Sequence, residues 1–91
     1  MELLYGEHRI WMEDAAGKVL AAVDFPLVRA GLVDVVHTFV DDSLRGQGVA
    51  GKLMEALAAV LRRDHLQARL SCSYAAGWFA RHDGYGDVIR Q

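Results

Sequence analysis

Ninety-one residues and 10.1 kDa hold one domain, spanning 1–91, and leave no room for a second core. An apolar fraction of 53% against 24% charged residues excludes a disordered chain, and ten basic against twelve acidic residues exclude a basic nucleic-acid module. A single cysteine, Cys72, excludes an intrachain disulfide and a multi-thiolate metal site.

The first residues, Met1 to Glu7, carry no basic region followed by an apolar run, so no leader is expected there. The longest apolar stretch, Val19 to Val23, is far short of a membrane span. A cytoplasmic protein without a membrane partner is the expectation.

Glu7 to Glu13 alternates, with His8, Ile10 and Met12 on one side, which predicts a strand. Asp14-Ala15-Ala16-Gly17 supplies turn chemistry, and Lys18 to Phe25 reads as the returning strand of a hairpin. Pro26 has no amide donor and ends that strand or sits at its edge. Leu32 to Val40 is rich in β-branched residues and predicts one continuous third strand, with Val33, Val35, His37 and Phe39 on a common face.

The period then changes. Val49, Leu53, Leu57, Val60 and Leu61 recur at helical spacing and predict an amphipathic helix over 49–63, with Arg62 and Arg63 suited to its C-terminal dipole. Gln67 to Cys72 reads as a fourth strand, and Tyr74, Trp78 and His82 mark a short second helix over 74–82. Gly84 can end that helix, and Tyr85 to Ile89 is a tail or edge strand. The predicted class is α/β, an antiparallel meander running into a β-α-β unit with a parallel strand pair. Parallel strands expose their C-terminal ends at one edge, so the loop after the third strand and Cys72 are expected side by side, where such sheets bind ligands.

That loop reads Arg45-Gly46-Gln47-Gly48-Val49-Ala50-Gly51-Lys52. Three glycines opening a helix let backbone amides converge on an anion, and the dipole adds about half a positive charge. A loop that merely turns tightly is the plainer alternative. Gly46, Gly48 and Gly51 fit the dinucleotide pattern G-x-G-x-x-G, but five residues separate Val40 from Gly46 and the nearby acid, Asp64, precedes the next strand instead of closing it. Gly46 to Lys52 fits a P-loop until Leu53, which has no hydroxyl for magnesium.

A third pattern, Arg45-x-x-Gly48-x-Ala50, follows His37-Thr38-Phe39-Val40 and precedes Cys72-Ser73-Tyr74 and Arg81-His82-x-x-Tyr85. In that order these segments resemble the compact GNAT-like N-acetyltransferase family, over roughly Glu7 to Ile89. The chain departs from the family's common H-T-E-V-P segment at Phe39 and Asp41. The resemblance implies acetyl-coenzyme A as co-substrate, no metal, and an amine acceptor, either a small molecule or a protein lysine. It implies that Phe39, Val40, Arg45, Gly46, Gln47, Gly48, Val49, Ala50, Gly51, Ser73 and Tyr74 bind the coenzyme. A coenzyme A-binding module without turnover is the rival reading.

Acetyl transfer needs a proton acceptor for the amine and a proton for the departing thiolate. His37 is the candidate base, since histidine as a class titrates nearest neutrality; a core histidine among Val33, Val35 and Phe39 is the alternative. Cys72 is either a nucleophile beside the thioester or a small buried hydrophobe. Tyr74 is a candidate acid, or core together with Trp78. His8, His65 and His82 show no metal-ligand spacing.

Overall fold

A computed structural model describes residues 2–90, and it shows how Asp14 builds the first hairpin. Its carboxylate accepts the backbone N–H groups of Ala16 and Lys18, each at 2.9 Å. Gly17 takes the left-handed φ of 85° that closes the turn. The turn joins β2 (Arg9–Glu13) to β3 (Val19–Asp24) in antiparallel register, with β1 (Leu4–Tyr5) along the outer edge of β2. The strand expected over Glu7 to Glu13 is β2 and starts at Arg9, not at Glu7.

Pro26 follows the end of β3, and its carbonyl accepts the N–H of Asp34 at 2.9 Å. The chain adds a short strand here that the sequence pattern did not announce, β4 (Leu27–Arg29), antiparallel to β5 (Leu32–Val35). The expectation of one strand over Leu32–Val40 is corrected. The run breaks at Val36, whose N–H donates to Asp24 O at 3.1 Å, and continues as β6 (His37–Val40) in a different sheet. β6 pairs antiparallel with β3, giving the order β1-β2-β3-β6. β5 pairs parallel with β7 (Gln67–Leu70), giving β4-β5-β7. The break reverses the alternation of faces. Val33 and Val35 are fully buried, while His37 and Phe39 face outward.

The helical stripe behaves as its spacing requires. α1 (Val49–Arg63) buries Val49, Leu53, Leu57, Val60 and Leu61, together with Met54 and Ala58, and lies across β2, β3 and β6. It ends at Asp64, and His65 takes a φ of 55° as the chain turns into β7. α2 (Ser73–Arg81) follows directly, so the fourth strand stops at Leu70 and Cys72 is the N-cap residue of α2. The tail folds back along β7 through one parallel bridge, Ala68 to Ile89. The Arg62 guanidinium clamps it by donating to both carboxylate oxygens of Asp87, at 2.9 and 3.0 Å. Among the described residues no helix is long and apolar enough to cross a membrane.

Candidate functional site

The site begins where the two sheets part. β6 is the last strand of its sheet, so one of its edges has no strand partner among the described residues. Asp41 N–H donates to Leu20 O at 2.7 Å, which fixes the antiparallel alternation: the backbones of Phe39 and Asp41 face β3. Those of Thr38 and Val40 therefore face the open edge. The side chains of Thr38 and Val40 line a cleft of about 380 Å³ with Arg45, Ala50 and Tyr74.

A short 3-10 helix, Asp42–Leu44, leads from β6 into the glycine loop. Asp41 caps it by accepting the Ser43 N–H at 3.0 Å and hydroxyl at 2.7 Å. Arg45 reaches back to Asp42, with Nη2 2.6 Å from Oδ1, and both side chains remain largely exposed. Gly46 and Gly48 hold φ values of 82° and 71°, which glycine alone adopts freely. Gly48 is the N-cap of α1 and offers no side chain, and the first turn contains no acidic residue. The first capping bond is Lys52 N–H to Gly48 O at 3.2 Å, which leaves the N–H groups of Val49, Ala50 and Gly51 without a backbone acceptor among the described residues. A Cβ on Gly46 or Gly48 would meet no atom within 4 Å, so the loop is open on its outer side. Unsatisfied donors, an open approach and the positive end of the dipole together suit a phosphate anion.

Across the cleft, Cys72 is held from three directions. Its N–H donates to Val35 O at 2.8 Å, which continues the parallel pairing of β5 and β7. Its sulfur lies 3.5 Å from Thr38 Oγ1. The preceding Ser71 is anchored to Asp34, the one buried acid among the described residues. Asp34 accepts the Ser71 N–H at 3.2 Å, the Ser71 hydroxyl at 2.8 Å and Arg69 Nε at 3.1 Å. Burial pushes the Asp34 carboxyl up, but those bonds outweigh it and hold it below the usual carboxylate range. Cys72 follows the same logic. Burial raises its thiol, and the N–H of Ala75, the Thr38 hydroxyl, and the N–H groups of Tyr74 and Thr38 lower it further than burial raises it. The half-buried thiol is therefore held below its ordinary value.

Of the residues singled out from the sequence, Val40, Arg45, Ala50 and Tyr74 line the cleft. Gly46, Gln47, Gly48, Val49 and Gly51 form the loop and the first turn beside it, Val49 through its backbone only, because its side chain is buried. Ser73 opens α2 at the far wall. Tyr74 is 39% exposed, so it is a wall of the cleft and not core; Trp78 is buried and stacks on His82 with ring centroids 3.9 Å apart. His37 and Phe39 project from the opposite face of β6, outside the cleft. Thr38 and Asp34 were missed. Thr38 carried a signal, since it alternates with His37 on a strand, but Asp34 carried none. A second concavity of about 410 Å³ lies between the C-terminal half of α2 and residues 83–90. It contains neither the glycine loop nor Cys72. Among the described residues no group of three His, Cys, Asp or Glu side chains could hold a metal ion.

This geometry has counterparts in known proteins. The family model for GCN5-related N-acetyl-transferases matches residues 9–88. A solution structure of a GCN5-like protein from Staphylococcus aureus, described as a candidate N-acetyltransferase, superposes with a TM-score of 0.82 at 32% identity, covering 98% of this chain and 87% of that one. Rv2747 from Mycobacterium tuberculosis, solved in complex with coenzyme A, shares the fold at a TM-score of 0.64 and 24% identity; the match covers 82% of this chain but only 46% of the mycobacterial one. A ribosomal-protein-alanine N-acetyltransferase from Brucella melitensis gives a TM-score of 0.58 at 21% identity, covering 91% of this chain and 70% of that one. No curated protein matches the sequence.

Proposed function

This chain belongs to the GCN5-related N-acetyltransferase family, and from that premise we propose that it moves an acetyl group from acetyl-coenzyme A to an amine. The observation that carries the reading is the bare N-terminus of α1, with three amides unpartnered among the described residues behind a glycine N-cap, whose first turn lines through Ala50 the same cleft as Thr38 and Tyr74, with the Cys72 sulfur 3.5 Å from the Thr38 hydroxyl. The loop amides and Arg45 take the pyrophosphate. The open backbone edge at Thr38 and Val40 takes the amide-bearing pantetheine arm, as a missing strand would. Phe39, Ser73 and the remaining loop residues border that path.

Transfer then requires one bond to form and one to break. The amine nitrogen attacks the thioester carbonyl, the C–S bond breaks, and the coenzyme thiolate leaves with a proton. Tyr74 supplies a proton to the thiolate on the cleft side, and the amine proton passes to solvent, because His37 projects from the opposite face of β6, outside the cleft. Direct transfer is our reading, with Cys72 beside the thioester and not acetylated. Two observations favour rivals. The lowered Cys72 thiol favours a two-step route through acetyl-Cys72. Phe39, standing where the family often carries a glutamate, favours a coenzyme-binding module without turnover.

Intact mass and thiol release, measured with acetyl-coenzyme A with and without a pool of amines, separate the three. Direct transfer releases coenzyme A only when amine is present and leaves the protein mass unchanged. An acetyl group on Cys72 that amine discharges overturns direct transfer in favour of the two-step route. No release with any amine, despite binding, overturns the enzyme reading altogether.

A further inference from the structure

α2 carries a cation, Arg81, near its C-terminal end. Tyr74, Gly77, Trp78 and Arg81 recur at helical spacing and share one face. Tyr74 lines the cleft. Trp78 Nε1 lies 3.4 Å from where a Cβ on Gly51 would stand, so this face runs along the first turn of α1. From its N-terminus, α2 therefore passes the Cys72 sulfur, then Tyr74 opposite Arg45 and Ala50, then Trp78 opposite Gly51. Arg81 comes next, about 13 Å along the axis from Cys72 at the ordinary helical rise.

Gly77 decides where that guanidinium lies. A Cβ at Gly77 would stand 3.2 Å from Arg81 Nη1, so the side chain is folded back along the helix over the glycine. The arginines at 9, 45, 62, 63 and 69 each pair with an aspartate. Arg81 is exposed and meets no carboxylate among the described residues. Trp78, on the same helix face, is itself fixed by its stack on His82.

Given coenzyme binding as read above, we infer that Arg81 binds the 3′-phosphate of coenzyme A. The pyrophosphate is answered by the loop amides and Arg45. With the thioester at Cys72, the pantetheine arm fills the stretch between sulfur and loop. The phosphorylated adenosine must leave on the other side of the loop, where α2 presents Arg81. An exposed guanidinium with no carboxylate partner among the described residues is matched to a phosphate dianion.

Calorimetric titration of the intact protein with coenzyme A and with 3′-dephospho-coenzyme A tests this. The wild-type protein is expected to bind coenzyme A about fivefold more tightly than the dephospho form, in keeping with an exposed ion pair. That preference should shrink with added salt. Arg81→Gln should bring the ratio close to one while leaving dephospho-coenzyme A affinity unchanged. Gly77→Ala, which crowds the guanidinium, should give a ratio between the two. A wild-type ratio in Arg81→Gln overturns the assignment. Equal weakening of both ligands overturns it too, by placing Arg81 on the pyrophosphate. If the wild-type protein binds neither ligand, the reading of coenzyme binding falls, and this inference with it.

Discussion

β5 and β6 are separated by one residue and built from similar side chains, yet they live in different surroundings. All four residues of β5 are buried, and none of the four in β6 is. Neighbours account for the contrast. β5 has β4 on one edge and β7 on the other, whereas β6 has β3 alone. A strand paired on both edges uses its backbone groups in the sheet and its side chains in the core. A strand paired on one edge keeps donors and acceptors for something else. In this molecule the cleft lined by Thr38, Val40 and Tyr74 occupies the place where a further strand would have paired with β6.

The largest effect that tests this contrast is on stability. Val35→Ala, at a fully buried position of β5, is expected to cost about 2–3 kcal/mol of unfolding free energy. Val36→Ala, one residue on and 45% exposed, should change it by less than about 0.5 kcal/mol. Urea unfolding of both variants measures the difference. Equal losses would mean that the break at Val36 does not divide core from site.

Much of this arrangement was legible in the sequence. The stripe of α1, the Asp14–Gly17 turn and the parallel pairing of the strands on either side of α1 all follow from spacing and residue type. The break at Val36 does not. Val35 and Val36 are equally content in a strand, and only the competition between β7 and β3 for the same run parts them. His37 and Phe39 were consequently given the core face of Val33 and Val35, and Thr38 was overlooked. β1 and β4 escaped notice because two or three residues carry no period. The burial of Asp34 was equally invisible, since its partners Arg69 and Ser71 lie 35 and 37 positions away.

A smaller effect sharpens the contrast from the β6 side. Thr38 donors help hold the Cys72 thiol below its ordinary value, so more thiolate is present near neutral pH than in a free cysteine. Thr38→Val removes the hydroxyl, raises the thiol pKa and lowers the thiolate fraction. The lost bond, ~0.5–1.5 kcal/mol, should slow alkylation of Cys72 near neutral pH about two- to tenfold. At a pH well above the ordinary thiol value both proteins are fully ionised, and the difference should vanish. A pH-rate profile that Thr38→Val leaves unmoved would remove Thr38 from the site.

On the proposed function, the unpaired edge of β6 and the uncapped start of α1 form one binding surface for acetyl-coenzyme A. Backbone amide NMR during titration with acetyl-coenzyme A addresses it most directly. The account predicts the largest shifts at Gly46 to Gly51, at Thr38 and Val40, and at Cys72 to Ala75, with β1, β4 and the tail at 83–90 quiet. Shifts centred instead on the concavity between α2 and that tail, or none at saturating ligand, would contradict it.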